Sequence, residues 1–238
     1  MKLIEINTDA TAFFKKRINK YLGIADIISP YKEKNVEVHI HDPGRLGEIL
    51  FENNKILLKH VEKPSRKTKW DVIAGLVDEN YVLIHSNYHR KIAEKILEKE
   101  LLFSMSNVIK IKPEAKYNNS RIDFLLTLDN NEEIWIETKG CTLVKNNIAL
   151  FPDAPTKRGT KHVKSLLEIQ KSRGNSKLII LIFNPTATFF SPNREKDIDF
   201  YNIFYKALKK MEIYPITLEF KNNSINFIRK IPVLPEKS

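Results

Sequence analysis

The chain has 238 residues, 42% of them hydrophobic, and a formal charge of +11 at pH 7. That length accommodates one large domain or two small ones, and the charge favours an anionic partner, with nucleic acid first. The single cysteine, Cys141, excludes an internal disulfide and any CxxC-type zinc site, and the longest apolar run, Leu178 to Phe183, is far too short to span a bilayer.

The start, Met1 to Asn7, lacks the apolar core of a signal peptide. With one cysteine, this predicts a protein of the reducing cytoplasm, with no membrane partner and with Cys141 as a small buried hydrophobe. Ala10 to Leu22 mixes Phe13, Phe14, Ile18 and Leu22 with Lys15, Lys16, Arg17 and Lys20. The pattern fits an amphipathic helix or a strand with basic residues outward. Residues 34–86 read as β, with strands over Val36–Ile40, Ile56–Val61, Lys69–Val77 and Tyr81–Ser86 and a tight turn at Asp78-Glu79-Asn80. His41-Asp42-Pro43-Gly44-Arg45-Leu46 is a turn that presents Arg45, and a short helix is predicted near Glu48 to Phe51. Lys63 to Lys69 is a basic, proline-broken loop carrying Arg66 and Lys67. A small barrel with basic loops resembles an OB-fold, whose loops and one sheet face bind nucleic acid.

Lys91 to Leu102 has helical spacing at Ile92, Ala93, Ile96, Leu97 and Leu101, and it opens a second domain. The predicted division is 1–86 and 87–238. Glu94 and Glu98, four apart on this helix, read as surface residues, although restriction-type nucleases often take a carboxylate from a preceding helix. A strand begins at Val108 to Ile111.

Two apolar runs, Ser120–Leu128 and Ile134–Gly140, then flank Asp129-Asn130-Asn131-Glu132, a turn composition. Centring the hairpin on Asn130 places Asp123 opposite Glu137. Two facing carboxylates destabilise a sheet, and a cation between them removes the conflict. Mg²⁺ suits such a pair, since it takes one or two carboxylates and keeps several waters. Glu137 and Lys139 share a strand face, so an ammonium group stands beside the acids, where it can orient a water or stabilise developing charge. This arrangement suits phosphodiester hydrolysis. An E-x-K triplet alone is usually a solvated face; the facing Asp123 and the apolar strands distinguish this one.

Further on, Ile148–Asp153 is apolar and stopped by proline. Thr156 is positioned to cap a helix from Lys157 to about Lys171, with Val163, Leu166, Leu167 and Gln170 inward and Arg158, His162 and Ser165 sharing another face. Lys157, Arg158, Lys161 and His162 at a helix start invite a phosphate. Lys177–Asn184 predicts a strand buried on both faces. An edge strand at Phe189-Phe190, a helix over Ile198–Met211, and a closing hairpin around Asn222-Asn223 follow. The tail, Pro235 to Ser238, reads as loose.

Several distinctive blocks, each occurring once, run in order through most of the chain: Arg17-Ile18-Asn19, Pro43-Gly44-Arg45-Leu46, Arg66-Lys67-Thr68, Ser120-Arg121-Ile122-Asp123-Phe124-Leu125-Leu126, Glu137-Thr138-Lys139 with Thr142-Leu143, and Phe151 through His162. Together they resemble the sugar fermentation stimulation protein A family. The resemblance implies an α/β chain (α+β overall). Its N-terminal part is an OB-like β-barrel; its C-terminal domain is similar to PD-(D/E)xK restriction endonucleases, with a mixed sheet flanked by helices. It also implies DNA binding and a role in regulating sugar metabolism. Asp123, Glu137 and Lys139 fall at the catalytic positions of that nuclease motif. Glu114 matches an acidic position ahead of the Ser120–Phe124 block and joins Asp123 and Glu137 as an expected metal ligand. The chain departs from the family pattern at His41-Asp42, where an Asn is more usual, and at His85 to Arg90, where relatives usually show a Pro-Asn pair.

The expectation is therefore a DNA-binding protein with a nuclease-like site using Mg²⁺ or Mn²⁺. The expected nucleic-acid contacts are Arg17, Arg45, Arg66, Lys67, Arg121, Arg158, Lys161 and His162, and a homodimer is compatible with the sequence. The alternatives are a non-catalytic DNA-binding regulator of sugar metabolism genes and an RNA-binding or RNA-processing protein.

Overall fold

The computed structural model describes residues 1–62, 66–105 and 107–236. Lys63, Pro64 and Ser65 of the predicted basic loop, and the end of the predicted loose tail, lie outside the described residues. After a short strand β1 (Lys2–Glu5), five strands follow: β2 (Ala10–Arg17), β3 (Leu22–Ser29), β4 (Glu33–His39), β5 (Lys55–His60) and β6 (Trp70–Val77). Alternate burial at Ala10, Ala12 and Phe14 makes the ambiguous 10–22 stretch a strand and not a helix. The strands run β4-β3-β2-β5-β6, and a parallel pairing of β4 with β6, at Val38↔Trp70 and His39↔Asp71, closes them into an OB-like barrel. The helix predicted near Glu48–Phe51 is a correction. Only one turn closes, with Leu50 N donating to Leu46 O at 2.8 Å, before Asn53 at φ 64° redirects the chain. That turn drops Leu46, Ile49 and Leu50 into the core.

Strand β7 (Asn80–Leu83) pairs with β6 and leads into helix α1 (Tyr88–Glu98), whose Ile92, Ala93, Ile96 and Leu97 are buried. The second half contains β8 (Val108–Tyr117), β9 (Ser120–Leu128), β10 (Glu133–Cys141), the short β11 (Val144–Lys145) and β12 (Ile148–Phe151), helix α2 (Lys157–Arg173), β13 (Ser176–Ile182), β14 (Phe189–Pro192), helix α3 (Ile198–Leu208), and the hairpin β15 (Glu212–Lys221) and β16 (Ser224–Lys230). Asn222 and Asn223, both at positive φ, make the hairpin's two-residue turn. The sheet order is β15-β13-β10-β9-β8, with β10, β13 and β15 parallel and the other pairs antiparallel.

Strand β13 is buried along its whole length because both its faces are covered. Ile179 and Leu181 join a core shared with the barrel and α1, whereas Leu178, Ile180 and Ile182 pack against α2 and α3. The two halves are continuous. Tyr81 of β7 pairs with Phe220 of β15, and β1 pairs with β16. No helix among the described residues is long and apolar enough to cross a membrane.

Candidate metal and nucleic-acid site

The hairpin β9–β10 takes the register predicted for it. Thr127, Leu126, Leu125 and Phe124 face Glu133, Ile134, Trp135 and Ile136 in turn, and Asn131 at φ 64° helps form the turn, with Asn130 Oδ1 accepting from Glu132 N at 3.0 Å. The next step of that register sets Asp123 against Glu137. Here the backbone ladder stops and the Asp123 side chain replaces it: its Oδ2 accepts from Thr138 N at 2.8 Å and Thr138 Oγ1 at 2.6 Å. Leu125 and Trp135, on the face turned to α2, fix the side on which Asp123 and Glu137 lie.

Helix α2 completes the site. Thr156 caps it as predicted, its Oγ1 accepting from Gly159 N at 3.0 Å, and Gly174 ends it in the left-handed region at φ 82°. One turn in from the cap, His162 is buried against Glu137, and its Nδ1 contacts Glu137 Oε1. Lys139 Nζ contacts the same oxygen. His162 Nε2 lies 3.5 Å from Arg158 Nε, which can only donate, so the ring carries its proton on Nδ1 and gives it to Glu137. One turn further, Ser165 Oγ meets Ser120 Oγ at 2.8 Å and ties α2 to the start of β9.

Glu137 is 1% exposed, and its second oxygen, Oε2, is buried with no hydrogen-bond partner among the described residues. A buried, unpaired carboxylate oxygen is costly, and a cation is the partner this chemistry lacks. The charges agree. Burial pushes the Asp123 carboxyl above the ordinary carboxylate range, and Glu137 pushes it further. Burial pushes Glu137 up too, but Lys139 and His162 outweigh it and hold that carboxyl low. One acid is thus held ionised and the other made reluctant to ionise while no cation is shared, which is how a carboxylate pair built around a cation behaves. The residues present fit a hard divalent ion held by Asp123 and Glu137.

Glu114 lies in the same row, at the register position of β8 opposite Asp123, between Pro113↔Phe124 and Ala115↔Ile122. Its backbone is at φ 51°, and its carboxylate is exposed, 3.2 Å from Arg121 and 3.5 Å from Arg90. Behind β10, His89 stacks on Phe183 at 4.8 Å and lies against Gly140, where a Cβ would come within 2.4 Å of its ring. Burial pushes this imidazole down to about 4, so it is neutral at pH 7.

The expected basic contacts divide into bound and open groups. Arg17 is spent internally. Its guanidinium donates to the carbonyls of Gly44 (2.6 Å), Arg45 (2.9 Å), Lys20 (2.7 Å), Asp42 (3.2 Å) and Asn19 (3.2 Å), bracing the 42–45 turn. Arg66 is engaged with Asp71, and Lys161 Nζ donates to Asn119 O at 2.6 Å. The side chains of Arg45 and Lys67 are exposed, as are those of Arg121, which pairs with Glu114, and Arg158, which donates to His162. A cleft of about 460 Å³ lies between the 42–46 turn and the Phe151–Thr156 segment, with Gly140 to Leu143 also lining it. Its walls carry Asp42 and Asp153; Asp153 Oδ2 accepts from Arg45 N at 2.9 Å and so joins the halves. Cys141 is buried, as expected, with burial pushing its thiol far up.

Sequence comparisons agree with this architecture. Residues 16–84 match the family model described as the SfsA N-terminal OB domain, and residues 87–224 match the sugar fermentation stimulation protein RE domain. The chain belongs to the sugar fermentation stimulation protein family. Relatives include the sugar fermentation stimulation protein homolog of Thermosipho melanesiensis, 46% identical over 98% of both chains, and that of Methanococcoides burtonii, 37% identical over 99% of this chain and 96% of the relative. Among solved structures, SfsA of Pyrococcus furiosus in complex with Ca²⁺ superposes with a TM-score of 0.87 at 26% identity, covering 99% of this chain and all of that one.

Proposed function

We propose that this protein binds DNA and hydrolyses phosphodiester bonds at a divalent-cation site held by Asp123 and Glu137, with Mg²⁺ or Mn²⁺ as the working ion. The observation that carries this reading is the Glu137 carboxylate: one oxygen is fixed by Lys139 and His162, and the other is buried with no hydrogen-bond partner among the described residues, while the Glu137 charge raises the Asp123 carboxyl across the strand pair. The Ca²⁺ complex of the Pyrococcus furiosus relative supports a hard cation in this family. A divalent ion there would neutralise the phosphate and acidify a coordinated water. The protein's own groups do the rest. His162 and Lys139 keep Glu137 ionised and in one orientation. Lys139, only partly buried, is placed to donate its ammonium to a phosphoryl oxygen. Arg158, exposed beside His162, offers a second cation to the backbone. Arg45 and Lys67 of the barrel extend the contact along the strand, and Glu114 stands as an outer carboxylate whose ion pairs with Arg90 and Arg121 must open before it can ligate.

The tight Lys139–Glu137 contact also favours a second reading, a DNA-binding regulator in which the cation is structural and nothing is cut. One assay separates the two. Purified protein with Mg²⁺ or Mn²⁺ is incubated with single-stranded DNA, duplex DNA and RNA. Cleavage of DNA that Lys139→Ala abolishes, with binding retained, is the expected result. Absence of metal-dependent cleavage on every substrate, with binding intact, overturns the enzymatic reading.

A further inference from the structure

A second group of ligand-type side chains sits at the seam where the barrel closes. The parallel β4–β6 pairing sets His39 against Asp71, and the chain leaving β4 carries His41 over the same point. The β6–β7 hairpin continues past Ile84, whose N–H donates to Ile73 O at 2.9 Å, and delivers His85 from the other side. His41 Nε2 lies 3.0 Å and His85 Nε2 3.7 Å from one oxygen, Asp71 Oδ2. The two imidazoles stack at 3.8 Å with 23° between their planes. One ligand atom from each of the three residues lies within 4.8 Å of the others. Ligands at about 2.0–2.2 Å from a tetrahedral ion stand roughly 3.3–3.6 Å apart, and the two measured separations bracket that distance.

The group is not satisfied by hydrogen bonding alone. His41 Nε2 is buried and has no hydrogen-bond partner among the described residues although Asp71 Oδ2 is 3.0 Å away, so that contact is off the line an N–H···O bond requires. His85 Nδ1 is likewise buried and, among the described residues, unpartnered. Asp71 and His85 are buried and His41 is partly open, which leaves one side for entry and for a fourth ligand. Asp71 also bonds Arg66, whose Nη1 is 3.2 Å from Oδ2, and His39 meets the edge of His41 at 4.4 Å. Among the described residues Arg66, His39 and Tyr88, whose ring lies 4.7 Å from that of His85, are the other ionisable side chains touching the cluster, and with one carboxylate against a guanidinium the place is poor for a hard cation that needs several oxygens. Two imidazoles and one carboxylate suit a borderline transition metal.

We propose that His41, Asp71 and His85 form a site for a zinc-class ion, separate from the Asp123–Glu137 acids, that fastens the barrel seam to the segment entering α1. Its test uses metal-stripped protein titrated with Co²⁺, read by visible absorption, and with Zn²⁺, read by calorimetry. The expected result is one equivalent of Co²⁺ with a tetrahedral spectrum, displaced by Zn²⁺ and not by Mg²⁺, unchanged in Asp123→Asn, and weakened more than about 100-fold in His41→Gln/His85→Gln. Because the double variant could misfold, ¹H–¹⁵N spectra of wild-type imidazoles provide a check without mutation: both the His41 and His85 ring nitrogens shift on adding Zn²⁺. No binding to the wild type, binding that the double variant retains, or unmoved His41 and His85 rings overturns the proposal.

Discussion

Replacing Asp123 with Asn should change stability in opposite directions with and without a hard divalent ion. Without the ion, wild-type Asp123 faces Glu137 from a largely buried position, and its carboxyl is held above the ordinary range by burial and by that neighbour. A folded value raised above the unfolded one means that the ionised group destabilises the fold at neutral pH, a loss relieved as pH falls through the folded value. Asn removes the charge and keeps an oxygen for Thr138 N and Oγ1. Relief of a facing like-charge pair amounts to about 0.2–1 kcal/mol, and a chain of this length gains about 2–4 °C in Tm per kcal/mol, so metal-free Asp123→Asn should melt about 0.4–4 °C higher than wild type. An ion at 100 times its Kd stabilises the native state by about 2.7 kcal/mol, so wild type should gain roughly 5–11 °C in Mg²⁺ or Ca²⁺, and the variant little or nothing. Differential scanning fluorimetry in EDTA and across a cation titration measures both. A variant less stable than wild type in EDTA, or equally stabilised by the ion, would refute the reasoning.

Two other predictions rest on the same surroundings. Glu137 titrates below its ordinary value of 4.5 because Lys139 and His162 outweigh its burial, so its contribution is present above that pH and lost as pH falls further; in His162→Gln the fall in Tm below pH 4.5 should be shallower, and an unchanged slope contradicts the pairing. Gly140→Ala introduces a Cβ 2.4 Å from the His89 ring, an overpacking expected to cost about 1–3 kcal/mol in urea unfolding and to be largely recovered by His89→Ala; additive losses in the double variant would show that the two do not collide.

What could be read from the sequence was local. The β9–β10 register followed from Asn-rich turn chemistry between two apolar runs, and helix α2 from Thr156 and its apolar spacing, because both signals lie within a few residues of what they determine. Ala10–Leu22 was ambiguous because its apolar residues satisfy two periods, and only the barrel wall decides between them. At Glu48–Phe51 the apolar Ile49 and Leu50 serve burial and not helical continuation, and Phe51 is exposed. Arg17 shows why counting cations says little about a binding face: its guanidinium is consumed by five carbonyls of its own fold. The spacing of Arg158, His162 and Ser165 put them on one face, but the packing of that face on Glu137 and Ser120 depends on how α2 crosses the sheet. His41, Asp71 and His85 meet only through the parallel closure of the barrel and the β6–β7 hairpin, which leave no mark in nearby sequence.

The central claim is that Asp123 and Glu137 share a cation. Crystals soaked in Mn²⁺ and measured at the manganese absorption edge test it most directly. An anomalous peak bonded to an Asp123 carboxylate oxygen and to Glu137 Oε2, absent in Asp123→Asn crystals, is the predicted result. Well-ordered density for both carboxylates with no peak between them, at Mn²⁺ concentrations that fill other sites, would contradict the account.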